Sequence, residues 1–199
     1  MKIRIATVCR IVAICSIGEL ALNTQAGWFD AVVSPPQSKE FKSIEGGFTL
    51  KAPCTLKETV ESLDTAYGKT VSHSFQGVQG AYQYAVAYND YQETFMNQNV
   101  RTRDDADNVL LGACAGMVRG VKGRILSTFN VVLTKYTVDA RYPGKEITIT
   151  GTTQSQSFVI KARFYLVGKR LYTITISCPK GKEDSTLTAD FMNSFHLTE

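Results

Sequence analysis

Two histidines and five cysteines are the residues to test first for chemistry. His73 alternates with Phe75 in a strand-like stretch, and His196 closes the last helix-like stretch, where a cation offsets the helix dipole. Cys54, Cys114 and Cys178 are spaced far too widely for the short C-x-x-C pairs of zinc and redox sites. Cys114 and His73 would form a nucleophile and base if helix and strand met. Cys114, however, shares a helical stripe with Leu110, Met117 and Val121, and buried thiols are inert. Asp104, Asp105 and Asp107 resemble part of a cation loop, yet neither a glycine turn nor a distant bidentate Glu follows them. They open a helix, where carboxylates meet the positive end of the dipole. No G-x-S-x-G, H-E-x-x-H or phosphate-loop pattern occurs. The expectation is a chain with no catalytic residue, no metal ligand and no cofactor site.

Two further groups of residues could recognise a partner. Tyr82, Tyr84 and Tyr88 share parity with Val86, opposite the small Ala81, Ala85 and Ala87. Such a stripe either fills a core or lines an aromatic cleft. Lys161, Arg163, Lys169 and Arg170 crowd one hairpin, where they would protect a sheet edge from aggregation or form a partner-docking edge.

The elements that must position these residues follow from periodicity. Strands are expected at GGFTLKAP, over 56–63 and 70–78, and over 81–89, where neither face is polar. A sheet covered on both faces explains that pattern, with the alanine side admitting a helix. A helix over 104–122 carries Leu110, Ala113, Cys114, Met117 and Val121 on one stripe. Gly112, Gly116 and Gly120 recur along its flank at about 1 kcal/mol each relative to Ala, which predicts close packing there. Strands follow over 125–136 and 145–150, the second led in by a Pro143-Gly144 turn. The hairpin SFVIKARFYLV, Gly168-Lys169, RLYTITISC fits a type II′ turn. Asp184 or Ser185 can cap a last helix with Leu187, Phe191 and Phe195 on its buried stripe.

The first segment has the order of a secretory leader. Lys2, Arg4 and Arg10 precede or flank the apolar run 11–18, and Thr24 and Ala26 fit the small pockets of a peptidase. Glu19 interrupts the run far short of the roughly 20 apolar residues of a spanning helix, so no transmembrane anchor is expected. Ile14 before Cys15 speaks against lipid attachment there. The expected organisation is a signal peptide over 1–26, a tether over 27–44 containing Pro35 and Pro36, and one domain over 45–199.

Removing 1–26 takes away three bases and one acid, so the formal charge falls from +4 to +2. A balance that small gives no case for nucleic acid as a partner. Cys9 and Cys15 leave with the leader. In an oxidising compartment the three remaining cysteines allow three pairings. Cys54 with Cys178 is the pairing we expect, because each ends a strand beside a proline, Pro53 or Pro179. Cys114 would then be the buried thiol.

The segments GGFTLKAP, AYGKTVSHSF, YQYAVAYNDY, YPGKEITI, IKARFYLVGKRLYTITI and ADFMNSFHL, taken in order, resemble exported bacterial domains of the PsbP-like and Mog1-like type over 45–197. The resemblance rests most on the hairpin and on the final A-D-x-F-x-x-S-F helix. It implies an α+β fold: a mostly antiparallel central sheet with helices on both faces, an α/β/α sandwich. It also implies a non-catalytic binding or assembly role and transfers no binding residue. The functional expectation is an exported binding or assembly protein of the cell envelope, in the periplasm or secreted, with another envelope protein as partner. The alternative is a small-molecule binder or weak enzyme with an aromatic cleft near Tyr82, Tyr84 and Tyr88.

Overall fold

The computed structural model describes residues 38–65, 68–135, 140–152, 157–183 and 186–198. The expected leader, the tether up to residue 37, and the capping candidates Asp184 and Ser185 lie outside them.

Ten strands and three helices follow along the described residues: β1 (Lys39–Ser43), β2 (Phe48–Ala52), β3 (Lys57–Thr65), β4 (Gly68–Gln79), β5 (Tyr82–Asp90), α1 (Glu93–Asn99), α2 (Arg103–Gly120), β6 (Arg124–Lys135), β7 (Ala140–Thr152), β8 (Ser157–Val167), β9 (Arg170–Pro179), α3 (Thr186–Asn193) and β10 (His196–Leu197). Seven strands form one sheet in the order β3-β4-β5-β9-β8-β7-β6, and β1-β2-β10 form a second. Every pairing is antiparallel.

Alternation along the central strands assigns their two faces. On β8, Ile160, Ala162, Phe164 and Leu166 point one way and pack with Ile147 and Ile149 of β7 under Leu110, Ala113, Cys114 and Met117 of α2. Tyr165 points the other way, with Tyr84, Val86 and Tyr88 of β5 and Tyr172, Ile174 and Ile176 of β9. That face is covered by Phe48 and Leu50 of β2 and by Phe191 and Met192 of α3. The fold is therefore α+β, a mostly antiparallel sheet with helices on both faces. The second cover, however, is largely a small sheet with one short helix. Leu110 has no exposed surface. Truncating such a side chain to Ala costs about 2–5 kcal/mol.

α2 begins with a capping box. Thr102 Oγ1 accepts from Asp105 N at 3.2 Å, and Asp105 Oδ2 accepts from Thr102 N at 2.9 Å. The β8–β9 turn has Gly168 at φ 58°, and Lys169 is not among the positive-φ residues, as a type II′ turn requires.

Several expectations are corrected. Pro143 and Gly144 do not form a turn: they lie inside β7, facing Val132 and Val131 of β6. Pairing with β8 begins only at Gly144, so the missing N–H of Pro143 falls where β7 has a single neighbour. α1 was not expected, and Met96 is its buried residue. β1 starts at Lys39 and brings Phe41 to 5.0 Å from Phe75, so ordered structure begins before Glu45. α2 packs on β7 and β8, whose large apolar residues make its floor, rather than over Ala85 and Ala87. A Cβ at Gly112 would meet nothing within 4 Å, so no close packing explains that glycine. His196 lies in β10 opposite Thr49, past the end of α3. No helix among the described residues is long and apolar enough to cross a membrane.

Candidate functional site

Register decides which side chains share a floor. Across β3, β4, β5 and β9, Val60 faces His73, His73 faces Tyr88, and Tyr88 faces Tyr172. One row further, Ser62 faces Val71 and Asp90 faces Arg170. One row the other way, Glu58, Phe75, Val86 and Ile174 line up. That last row lies under the small sheet, with the rings of Phe75 and Phe48 5.9 Å apart. Tyr172 in the middle row lies under the turn between β1 and β2, its hydroxyl donating to the Gly46 carbonyl at 2.7 Å, while the β3 and β4 ends of the other two rows stay open. Val60 is 54% exposed and Val71 49%, and Ile44 on the turn is 87% exposed. The uncovered floor and the turn enclose a cleft of about 420 Å³, bounded by Glu45, Lys69, Val71, His73, Tyr88 and Arg170.

Arg170 fastens the back of this cleft. Its Nε and Nη2 donate to the two carboxylate oxygens of Asp90 at 2.6 and 2.8 Å, and its Nη1 donates to the carbonyl of Glu45 at 2.7 Å. The same guanidinium lies 4.4 Å from the centre of the Tyr88 ring. These bonds hold the Asp90 carboxyl below the usual carboxylate range, with the Arg170 hydrogen bonds as the largest cause. They hold Arg170 more firmly in its cationic form. Thr70 Oγ1 donates to the Asp90 carbonyl at 2.7 Å.

His73 stacks on Tyr88, with ring centres 4.6 Å apart and planes 5° from parallel. Its Nδ1 lies 2.9 Å from Glu58 Oε1. A carboxylate can only accept, so that nitrogen is assigned the proton. Its Nε2 is 3.7 Å from Glu45 Oε1. The Tyr88 hydroxyl is buried without a hydrogen-bond partner among the described residues. Its pKa is pushed up to about 12, first by burial and then by Glu45.

The structure brings some of the expected residues to this cleft and disperses the rest. Tyr88 is in its wall. Tyr84 is buried core against the Phe191 ring at 5.1 Å, and Tyr82 donates its hydroxyl to the Lys182 carbonyl at 3.0 Å. The three tyrosines therefore do not line one cleft. Lys161, Arg163, Lys169 and Arg170 were read as an edge, but β8 and β9 are interior strands and the sheet ends at β3 and β6. Arg163 pairs with Glu146 opposite it and donates to the Met192 carbonyl and Asn193 Oδ1, each at 2.9 Å. It thereby ties the end of α3 to the sheet. Lys161 and Arg163 line a small cavity of about 200 Å³ beside α3, while Arg170 belongs to the cleft and Lys169 to the turn.

Cys54 and Cys178 are not bonded to each other in this structure. A Cβ added at Gly77 of β4 would fall 2.6 Å from the Cys54 sulfur, whereas Cys178 is on β9, with β5 between those strands. Tyr84 of β5 feels both thiols: its pKa is raised to about 12 by burial first and then by Cys54, Tyr82 and Cys178. Cys114 faces the sheet as expected, and burial pushes its pKa up to about 12. Asp105 caps α2, but Asp107 reaches away to Lys145 of β7 at 2.6 Å. Glu45, Glu58 and Asp90 were missed as site residues. The one signal for Glu58 is its parity with Val60 and Ser62 in β3, and none in the sequence places Glu45 or Asp90 beside His73.

Fold and site together define the chain as an α+β protein with an open cleft at one end of an antiparallel sheet. No protein-family model matches the sequence, and no curated protein matches it. Among solved structures, it is similar to the solution structure of cyanobacterial PsbP, CyanoP, from Synechocystis, the PsbP-like likeness expected from the segments above. Identity is 12%, the match covers 86% of this chain and 98% of that one, and the TM-score is 0.46. It is also similar to a crystal structure from Bacteroides thetaiotaomicron at 11% identity and TM-score 0.43, covering 82% of this chain and about half, 49%, of that one.

Proposed function

We propose that this chain is an exported, non-catalytic binding protein of the cell envelope, and that the cleft between the β1–β2 turn and strands β3, β4, β5 and β9 is where it binds an envelope partner. The observation that carries the reading is an open cleft in which Val71 and the Tyr88 ring lie beside polar groups already engaged with one another, with Val60 of β3 exposed opposite His73. Asp90 and Arg170 satisfy each other through two hydrogen bonds. With its pKa up to about 12, the Tyr88 phenol stays protonated at neutral pH. Groups so placed recognise and hold; a general base needs a pKa near the working pH. Export is supported by the basic, apolar and small-residue order of 1–26.

The test is capture of a partner from an envelope extract by the tagged mature chain and by its Val60→Asp/Val71→Asp variant. A partner retained by the first and lost by the second is the expected result. Equal capture by both rules out the cleft. Intact mass should show a mature chain beginning at Gly27, and a product still carrying Met1 contradicts export through this leader. The His73 and Tyr88 wall also favours a second reading, a small-molecule binder. Under that reading, saturable binding of a small ligand would accompany the absence of any captured protein.

A further inference from the structure

We propose that the cleft accepts a short, unblocked peptide as a zwitterion, its ammonium group at Glu45 and its carboxylate at Lys69. The inference rests on the cleft being a binding site and adds the ligand class. Asp90 and Arg170 cancel at the back of the cleft, so the charges that face an incoming ligand stand at its two ends. At one end the Glu45 carboxylate, 74% exposed, is 3.7 Å from His73 Nε2, with Glu58 on the other nitrogen of the same ring. At the other end is Lys69, which shares its face of β4 with Val71 and His73 by alternation and is exposed. Lys69 and His73 are four positions apart along the strand, about 13 Å. An extended tripeptide spans about 10 Å, and the flexible lysine stem covers the difference. A single amino acid, at about 3.5 Å, cannot reach both ends.

Between those ends the floor suits a peptide. Val71 offers apolar surface to its side chains, and Ser62 sits opposite Val71. The volume of about 420 Å³ falls in the range of small-ligand sites, roughly 300–1,000 Å³. Behind the acidic end, the Tyr88 hydroxyl is buried without a partner. Tyr88 stacks on His73 with ring centres 4.6 Å apart, which sets it beside the ammonium end of the cleft. When the exposed Glu45 side chain turns out to meet a ligand ammonium, the first peptide carbonyl can supply the acceptor that this hydroxyl lacks. A simple amine gains nothing from Lys69.

The experiment is calorimetric titration of the mature chain with Ala-Ala-Ala, its N-acetyl form and its C-terminal amide. The free tripeptide should bind, and each cap should weaken it at least tenfold. Glu45→Gln should weaken the free tripeptide but leave binding of the N-acetyl form unchanged, and Lys69→Met should do the same with respect to the amide. Both side chains are exposed, and Arg170 uses only the backbone carbonyl of Glu45, so the variants keep the fold. Equal binding of all three peptides overturns the inference, as does the absence of saturable binding. If no peptide binds while Val60→Asp/Val71→Asp still abolishes partner capture, the inference falls and the proposed function stands. If the peptides bind as described while partner capture is unaffected by that variant, the envelope-partner reading falls and the peptide site stands.

Discussion

Asp107→Asn should destabilise the protein by about 2 kcal/mol, and the reason lies in an asymmetry of burial. Lys145 of β7 has a side chain only 7% exposed, and its ammonium is 2.6 Å from a carboxylate oxygen of Asp107, which is 42% exposed. Removing one partner of a fully buried pair costs about 3–5 kcal/mol because a charge is left in a low-dielectric setting. Water already reaches Asp107, so the attraction is weaker and the figure falls to about 2 kcal/mol, which for a chain of this size is a melting point lower by about 4–8 °C. Lys145→Met is different. It leaves the charge on the residue water can solvate and keeps an aliphatic side chain under α2, so it should cost under about 1 kcal/mol. Adding Asp107→Asn to Lys145→Met should then cost little more, giving a coupling near 2 kcal/mol in a urea-denaturation double-mutant cycle. Losses that add to within about 0.5 kcal/mol, or an Asp107→Asn loss no larger than that of Lys145→Met, would refute the assignment of Asp107 as a group that stabilises the Lys145 charge.

Three other outcomes follow from the same structure. Gly112→Ala should raise stability by about 1 kcal/mol, since its Cβ enters open space, whereas Gly144→Ala should lower the melting point because its Cβ would fall 2.5 Å from the Tyr165 ring. The Asp90 pKa is depressed in the folded state by Arg170, so its contribution is complete above the unfolded value of roughly 3.9 and is lost as pH falls through the folded value. Arg170→Met should accordingly flatten the acid limb of stability measured from pH 6 downwards, and an unchanged limb would contradict the pairing. Native alkylation at pH 7.5 followed by mass mapping should label the half-buried Cys54 before Cys114, which is buried with a pKa near 12; non-reducing mapping of exported protein decides whether Cys54 and Cys178 join, as expected from the sequence, or stay apart as they are here.

Local signals in the sequence were enough for most elements but not for the site. The β8–β9 hairpin was legible because Gly168 fixes its turn over two residues, and α2 because Leu110, Cys114 and Met117 repeat at helical spacing. α1 offered no comparable stripe, since Met96 is its buried residue. Pro143 and Gly144 read as a turn because the sequence does not show that β8 begins pairing only from Gly144. Arg163 and Arg170 read as surface cations for a similar reason. Their carboxylates, Glu146 and Asp90, become neighbours only through cross-strand register. The cleft depends on that register most of all: four strands and one turn contribute to it, and no window of the sequence contains them together.

The seam between β5 and β9 has a further consequence. β3, β4 and β5 form one ribbon of neighbouring hairpins, and β6 to β9 form another; in the large sheet the two are joined along a single line. Asp90 and Arg170, which close that line at the cleft, are 80 residues apart in the chain. His73 and Tyr88 come from the first ribbon and Arg170 from the second, so neither ribbon alone carries the site. A ligand that binds only the joined form stabilises it in proportion to the logarithm of its concentration over its dissociation constant. A ligand held in the cleft as proposed would therefore clamp the longest-range pairing in the sheet, and hydrogen exchange along Gln83–Asp90 and Arg170–Ser177 should slow on its addition.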